Sequence, residues 1–154
     1  MDWMTLAGTG LGAVVGVGST LLVDRARWRR DTVDRSREER KALYVACLTA
    51  LRQAHEAMRA VSAGDQPPGV GRDAGVREAF RTSGVQEARE SAVICVSAAM
   101  VPTIDAAYYT LRDIRDVLAA GHAIDSPTYD EARSRHGTAT RAARAAMRAD
   151  LGHG

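Results

Sequence analysis

Chemistry is what this sequence has least of. Among 154 residues there are two cysteines and four histidines, and they fall at no spacing that closes a metal site. His122, His136 and His153 are divided among a loop, a helix and the tail. His55-Glu56-Ala57-Met58-Arg59 opens like a zinc-protease helix, but arginine stands where the second histidine is needed. Gly8-Thr9-Gly10-Leu11-Gly12-Ala13 has the letters of a dinucleotide fingerprint without the preceding strand or the surrounding βαβ unit. Gly69-Val70-Gly71-Arg72 lacks the Gly-Lys-Ser/Thr ending of a phosphate loop and reads as a linker. No catalytic residue, cofactor or metal ligand is assigned, and the chain is expected not to be an enzyme.

Charge of one sign is lacking too. The formal net charge is +2, too small to argue for nucleic acid. Arg141, Arg144 and Arg148 form a basic stripe without interleaved aromatics, so acidic protein surface or phosphate is the expected contact and nucleic acid is not. Lys41 is the sole lysine among 21 Lys/Arg residues. That bias, with the heavy use of Ala, Gly, Val and Asp, follows GC-rich codons and is not read as bidentate recognition. From Asp31 to Lys41 acids and bases alternate, the pattern of a solvated helix face. Cys47 and Cys95 sit among apolar neighbours and are expected to be reduced, buried core thiols.

One absence is informative in the opposite sense. Between Trp3 and Val23 there is no ionisable side chain, and the run closes on Asp24-Arg25-Ala26-Arg27-Trp28-Arg29-Arg30. As a helix it is roughly 31 Å long, close to the hydrocarbon thickness of about 30 Å. It reads as a transmembrane anchor over residues 1–24. A cleaved secretory signal is opposed by the acid in Met1-Asp2 and by the lack of a small-residue site around Leu22-Val23-Asp24. The many glycines make the run only weakly hydrophobic, so a Gly-rich arm through which a soluble helical protein self-assembles stays open as an alternative. Arg25, Arg27, Arg29 and Arg30 are expected at lipid headgroups on the cytoplasmic side, which places residues 25–154 in the cytoplasm below a plasma (inner) membrane. Gly8, Gly12 and Gly16 recur every four residues and make a small-residue face suited to helix association, hence a homo-oligomer. Chance occurrence of such a face in a membrane helix is the competing account.

Strand patterning is missing throughout the remainder, and helical patterning is strong. From Leu21 to Ser62 there is neither glycine nor proline, and Tyr44, Cys47, Leu51, Ala54, Met58 and Val61 repeat at steps of three and four. A long helix over 25–62 is expected, continuous with the anchor. The Pro/Gly-rich segment 63–73 ends it. Residues 74–96 read as one helix or two short ones, weakened at Ser83-Gly84, with Val76, Phe80, Val85, Ala88, Ala92 and Cys95 inward. Residues 98–120 form a third helix with the stripe Ile104, Tyr108, Leu111, Ile114 and Leu118, leaving Arg112, Asp113, Arg115 and Asp116 outside. Ala120-Gly121 stops it. Ser126-Pro127 caps a last helix over 126–151, whose inward residues Tyr129, Ala132, His136, Ala139, Ala143, Met147 and Leu151 are mostly small. The expected class is all-α: a transmembrane helix, a stalk, and an antiparallel bundle of three to four helices.

The order of segments carries a resemblance. A short span, an Arg-rich collar, Glu39-Arg40-Lys41-Ala42-Leu43-Tyr44 leading a long helix, and a closing Ala146-Met147-Arg148-Ala149-Asp150-Leu151-Gly152 look like small membrane-anchored helical proteins of high-GC actinobacteria. The layout also resembles, loosely, the KilB-type proteins of plasmid spread. No functional residue transfers. The resemblance implies a helical module at the inner face of the membrane, concerned with DNA transfer or cell-surface processes. Two functions are expected to compete: a scaffold whose bundle recruits a cytoplasmic protein through an apolar groove on one of the last two helices, and a membrane-active or plasmid-transfer-associated small protein acting through self-association of its span.

Overall fold

The computed structural model describes residues 35–65 and 69–152, and every regular element among them is an α-helix. They are α1 (residues 35–62), α2 (Arg72–Thr82), α3 (Val85–Cys95), α4 (Val101–Ala119) and α5 (Pro127–Asp150). The chain divides into two units, Met1–Glu39 and Arg40–Gly154. Of the first, residues 35–39 are described, a helical turn with Arg35 Nε 3.4 Å from Glu39 Oε1. The second holds the bundle. No helix among the described residues is long and apolar enough to cross a membrane. The run Trp3–Val23, with Gly8, Gly12, Gly16 and the collar Arg25, Arg27, Arg29 and Arg30, lies outside the described residues, as does its expected continuity with α1.

The helix ends are chemical stops. After α1, Gly64 takes φ 107°, Asp65 N–H donates to Ala60 O, and Gly64 N–H donates to Val61 O; this paired closure of orphan carbonyls needs a residue that tolerates left-handed backbone. Gly121 (φ 92°) closes α4 in the same way, with His122 N–H on Val117 O and Gly121 N–H on Leu118 O. At the start of α5 the Ser126 hydroxyl oxygen accepts from Tyr129 N–H at 3.3 Å, and Pro127 occupies the first turn, where it has no amide to waste. Pro102 is likewise confined to the first turn of α4.

Helix α4 is central. It packs most extensively along α5 and also against α2 and α3, while α1 runs antiparallel to α5: Tyr44 meets Asp150 near one end of the pair and His55 meets Tyr129 near the other. Ile104, Leu111, Ile114 and Leu118 of α4 are fully buried, each worth about 1.5–3 kcal/mol of removal from water. From α1 come Tyr44, Cys47, Leu51, Ala54 and Met58, and from α5 Tyr129, Ala132, Ala143 and Met147. The expected seams therefore form the core, with Val61, Ala88, Ala139 and Leu151 at its edge.

Of the two alternatives open for residues 74–96 the structure has the second, and two other details differ from the sequence reading. Residues 74–96 form two helices, because Gly84 turns the chain with φ 71° and resets the helical phase. Cys95 is exposed, not buried like Cys47; it is the last residue of α3, roughly 80° around the helix from Val85, and Val96 then leaves in extended conformation. Arg112 and Arg115 are half-buried instead of wholly outside, since their guanidinium groups lie over the Tyr109 and Phe80 rings at 5.7 and 5.1 Å.

Candidate functional site

Two antiparallel helices packed side by side leave a furrow where their inward faces diverge, and α1 and α5 leave one of about 500 Å³. Its α1 wall carries Val45, Leu48 and Arg52, and its α5 wall Gly137, Arg141 and Arg144. Val45 is 57% exposed although its neighbours Tyr44 and Cys47 are buried, because it lies one step off the Tyr44–Cys47–Leu51 seam. Gly137 stands in the interior of α5, where helix propensity argues against it. Without a side chain there, the wall is lowered beside His136.

The groove's inner end is polar but uncharged at neutral pH. His55 Nε2 lies 3.0 Å from the Tyr129 hydroxyl, and the His55 and His136 rings meet edge to face at 5.8 Å between centroids. His136, buried, places Nδ1 3.2 Å from Thr110 Oγ1 and Nε2 3.5 Å from Thr140 Oγ1. Thr110 gives its hydroxyl proton to the carbonyls of Ala106 or Ala107, so toward His136 it accepts, and the ring proton sits on Nδ1. Nε2 is then left as the acceptor facing Thr140 and the groove. Burial lowers the His55 pKa to about 4, helped by His136 and by the charges of Arg59 and Arg133, with Glu56 opposing. Burial also lowers that of His136, against a contact with the Ala107 carbonyl. Burial pushes the Tyr129 hydroxyl up, so it remains a donor.

Charge enters from the rim. Arg52 is paired with Glu56 at 3.0 Å, Arg141 donates to the Thr138 hydroxyl at 3.0 Å, and neither Arg141 nor Arg144 meets a carboxylate among the described residues, where the α5 arginines that do are Arg133 and Arg135. The site offers an apolar floor, two guanidinium groups that meet no carboxylate among the described residues and a neutral imidazole acceptor. A second cleft of about 490 Å³ lies among α2, α3 and α4, with Arg77, Arg81, Arg112, Arg115 and Glu87 at its walls. Three of those arginines are engaged with carboxylates, Arg77 with Asp73, Arg81 with Glu78, and Arg115 with Asp116, the Arg112 guanidinium group lies over the Tyr109 ring, and Glu87 already brings a carboxylate to the wall. It has less to give a ligand.

The seven residues singled out from sequence, Gly8, Gly12 and Gly16 for helix association and Arg25, Arg27, Arg29 and Arg30 for headgroups, all fall outside the described residues. The basic stripe fares differently: Arg141 and Arg144 reach the groove and Arg148 does not line it. Val45, Gly137, Thr140 and the pairing of His55 with His136 escaped the sequence reading. Gly137 inside a helical pattern and an apolar Val45 off the seam were the available signals. Among the described residues no three or more His, Cys, Asp or Glu side chains gather in a way that could hold a metal ion. No family model, curated protein or solved structure matches the chain.

Proposed function

We propose that this chain is a non-enzymatic scaffold anchored in the inner membrane, whose helical bundle recruits a cytoplasmic partner through the groove between α1 and α5. The observation that carries the proposal is the groove itself: an open furrow along the last helix, floored by Val45 and Leu48 and edged by Arg141 and Arg144, neither of which meets a carboxylate among the described residues. Exposed apolar side chains edged by one sign of charge suit an amphipathic helix with acidic flanks, laid into the furrow as a third helix. The uncharged Trp3–Val23 run and the arginines at 25, 27, 29 and 30 supply the address and orientation. Gly8, Gly12 and Gly16 allow spans to associate, which would multiply weak groove contacts by avidity.

Two measurements test this reading. The intact chain is expected to sediment with membranes and to be released by detergent but not by salt or alkali; recovery in the high-speed supernatant overturns the anchor. Copies isolated from native membranes should bring down a protein that an Arg141→Glu/Arg144→Glu variant, folded by circular dichroism, does not. The same companions with both, or none with either, count against a recruiting groove.

A further inference from the structure

The two most exposed large apolar side chains among the described residues are Ile94, at 82%, and Val45, at 57%. Their surroundings have opposite charge. Val45 opens the α1/α5 groove with Arg141 and Arg144 at its rim. Ile94 sits on the outer face of α3, where Glu87, Glu90 and Ser91 are also exposed and fall within about 100° of one another around the helix. Glu90 takes only an amide bond from Gln86, and Glu87 has no partner among the described residues. The inward side of α3 is spent on Val85 and Ala92. An acidic amphipathic helix of the kind the groove suits is therefore part of this chain.

The spacing agrees. Seven residues separate Glu87 from Ile94 and seven separate Val45 from Arg52, about 10.5 Å in either helix. With Ile94 seated over Val45, Glu87 lies level with Arg52, and Glu90 with the turn that contains Leu48. Helix α5 runs antiparallel to α1 and contributes Arg144 and Arg141 along that same stretch. Glu90 and Glu87 are three residues apart, as are Arg144 and Arg141, so both carboxylates come opposite a guanidinium group in one register. We infer that the groove's occupant is helix α3 of a second copy of this chain. This rests on the groove being a docking site, and it makes that site a self-association surface distinct from the glycine face of the span. Each copy has one acidic helix to give and one groove to fill, so the contact is heterologous: it propagates head to tail or closes as a ring.

Cross-linking of full-length chain in detergent tests the pairing. Cys95 is exposed one residue beyond Ile94, and Cys47 is buried, so in a Val45→Cys variant a short bis-maleimide is expected to join residue 45 of one copy to Cys95 of another and give dimers and larger species. Arg141→Glu/Arg144→Glu in one copy should lower that yield by about tenfold, because like charges then face each other in the seam. Glu87→Arg/Glu90→Arg alone should do the same. Mixing a Val45→Cys/Cys95→Ser copy that carries the reversed groove with a copy that carries the reversed helix and Cys95 should restore the product. Yield that is indifferent to the reversals, failure of the mixed pair to recover, or a chain that sediments as a monomer overturns self-docking. A foreign partner still lost with Arg141 and Arg144 would leave the recruiting groove standing while removing this occupant.

Discussion

Helices α4 and α5 lie against each other and are held in place by different physics. The inner face of α4 is Ile104, Ala107, Leu111, Ile114 and Leu118, which fill volume and carry no polar atom to satisfy, with Tyr108 the one buried side chain on it that bears a hydroxyl. That of α5 is Tyr129, Ala132, His136, Ala143 and Met147, where small residues let the backbones approach and the larger ones need partners. The difference shows how one bundle can combine a side insensitive to solution conditions with a side that is tunable. The groove opens on the second side. A docking surface built there inherits alanine's thin packing and histidine's dependence on protonation.

The largest break in this comparison is expected on the α4 side. Leu111→Ala removes a side chain with no solvent exposure at the centre of the bundle, and the lost transfer energy plus the residual cavity should cost about 2–5 kcal/mol in urea unfolding. A loss below about 1 kcal/mol would mean that neighbouring helices collapse into the space, and the picture of α4 as a rigid spine would fail. On the α5 side a single carboxylate comes next. Asp150 Oδ2 accepts from Arg40 at 3.0 Å and from the Tyr44 hydroxyl at 2.7 Å, and Tyr44 is buried with its ionisation pushed up by burial and by that bond. Asp150→Ala strands both donors and should cost about 2–3 kcal/mol. Asp150→Asn, which keeps an acceptor, should recover part of that in the same unfolding series.

Much of α4 was legible from sequence because periodicity reports burial directly when the buried residues are aliphatic. Its stripe, the proline in its first turn and the glycine that ends it all follow from local rules. The seam of α1 was legible on the same grounds. The groove was not, since a furrow is a property of two helices and depends on which neighbour fails to cover Val45. The partnership of His55 with His136 joins residues 81 apart in the chain, and neither has a local pattern to announce it. Cys95 misled because it is the last residue of α3, where Val96 leaves in extended conformation and the inward face held by Val85 and Ala92 has run out. The basic stripe at Arg141 and Arg144 was visible, but only the folded arrangement places it along an apolar floor.

Acid should separate the two sides next. Folding holds His55 neutral, its pKa near 4 against an ordinary 6.5, and the His136 pKa is lowered as well. The groups facing His55 are Tyr129, His136, Arg59, Arg133 and Glu56. As the pH falls below about 6.5 the unfolded chain takes up the proton first, so stability present at neutral pH is lost progressively down to about pH 4. The loss attributable to His55 should be about 2 kcal/mol, discounted for the ring's partial access to solvent. Unfolding free energy followed from pH 7 to 4 should fall less steeply in His55→Gln than in the parent. Parallel curves for the two would remove the histidine pair from the account of α5. Leu111→Ala, whose cost is packing alone, should shift the whole curve down without changing its slope.

The smallest effect is the most discriminating for the groove. Gly137 lies inside α5 at ordinary negative φ, and a Cβ built there would meet only Arg141 Nη1, at the van der Waals distance of 3.6 Å. Gly137→Ala should therefore gain up to about 1 kcal/mol of helix stability and raise the melting temperature by a few degrees. The same methyl group raises the wall beside His136 and comes into contact with the guanidinium group that edges the furrow. Binding through the groove, read as cross-linked yield between copies or as retained partner, should weaken while the fold strengthens. A chain that becomes both more stable and equally competent in binding would show that the glycine marks no contact surface, and that the occupant lies nearer Val45 than Gly137.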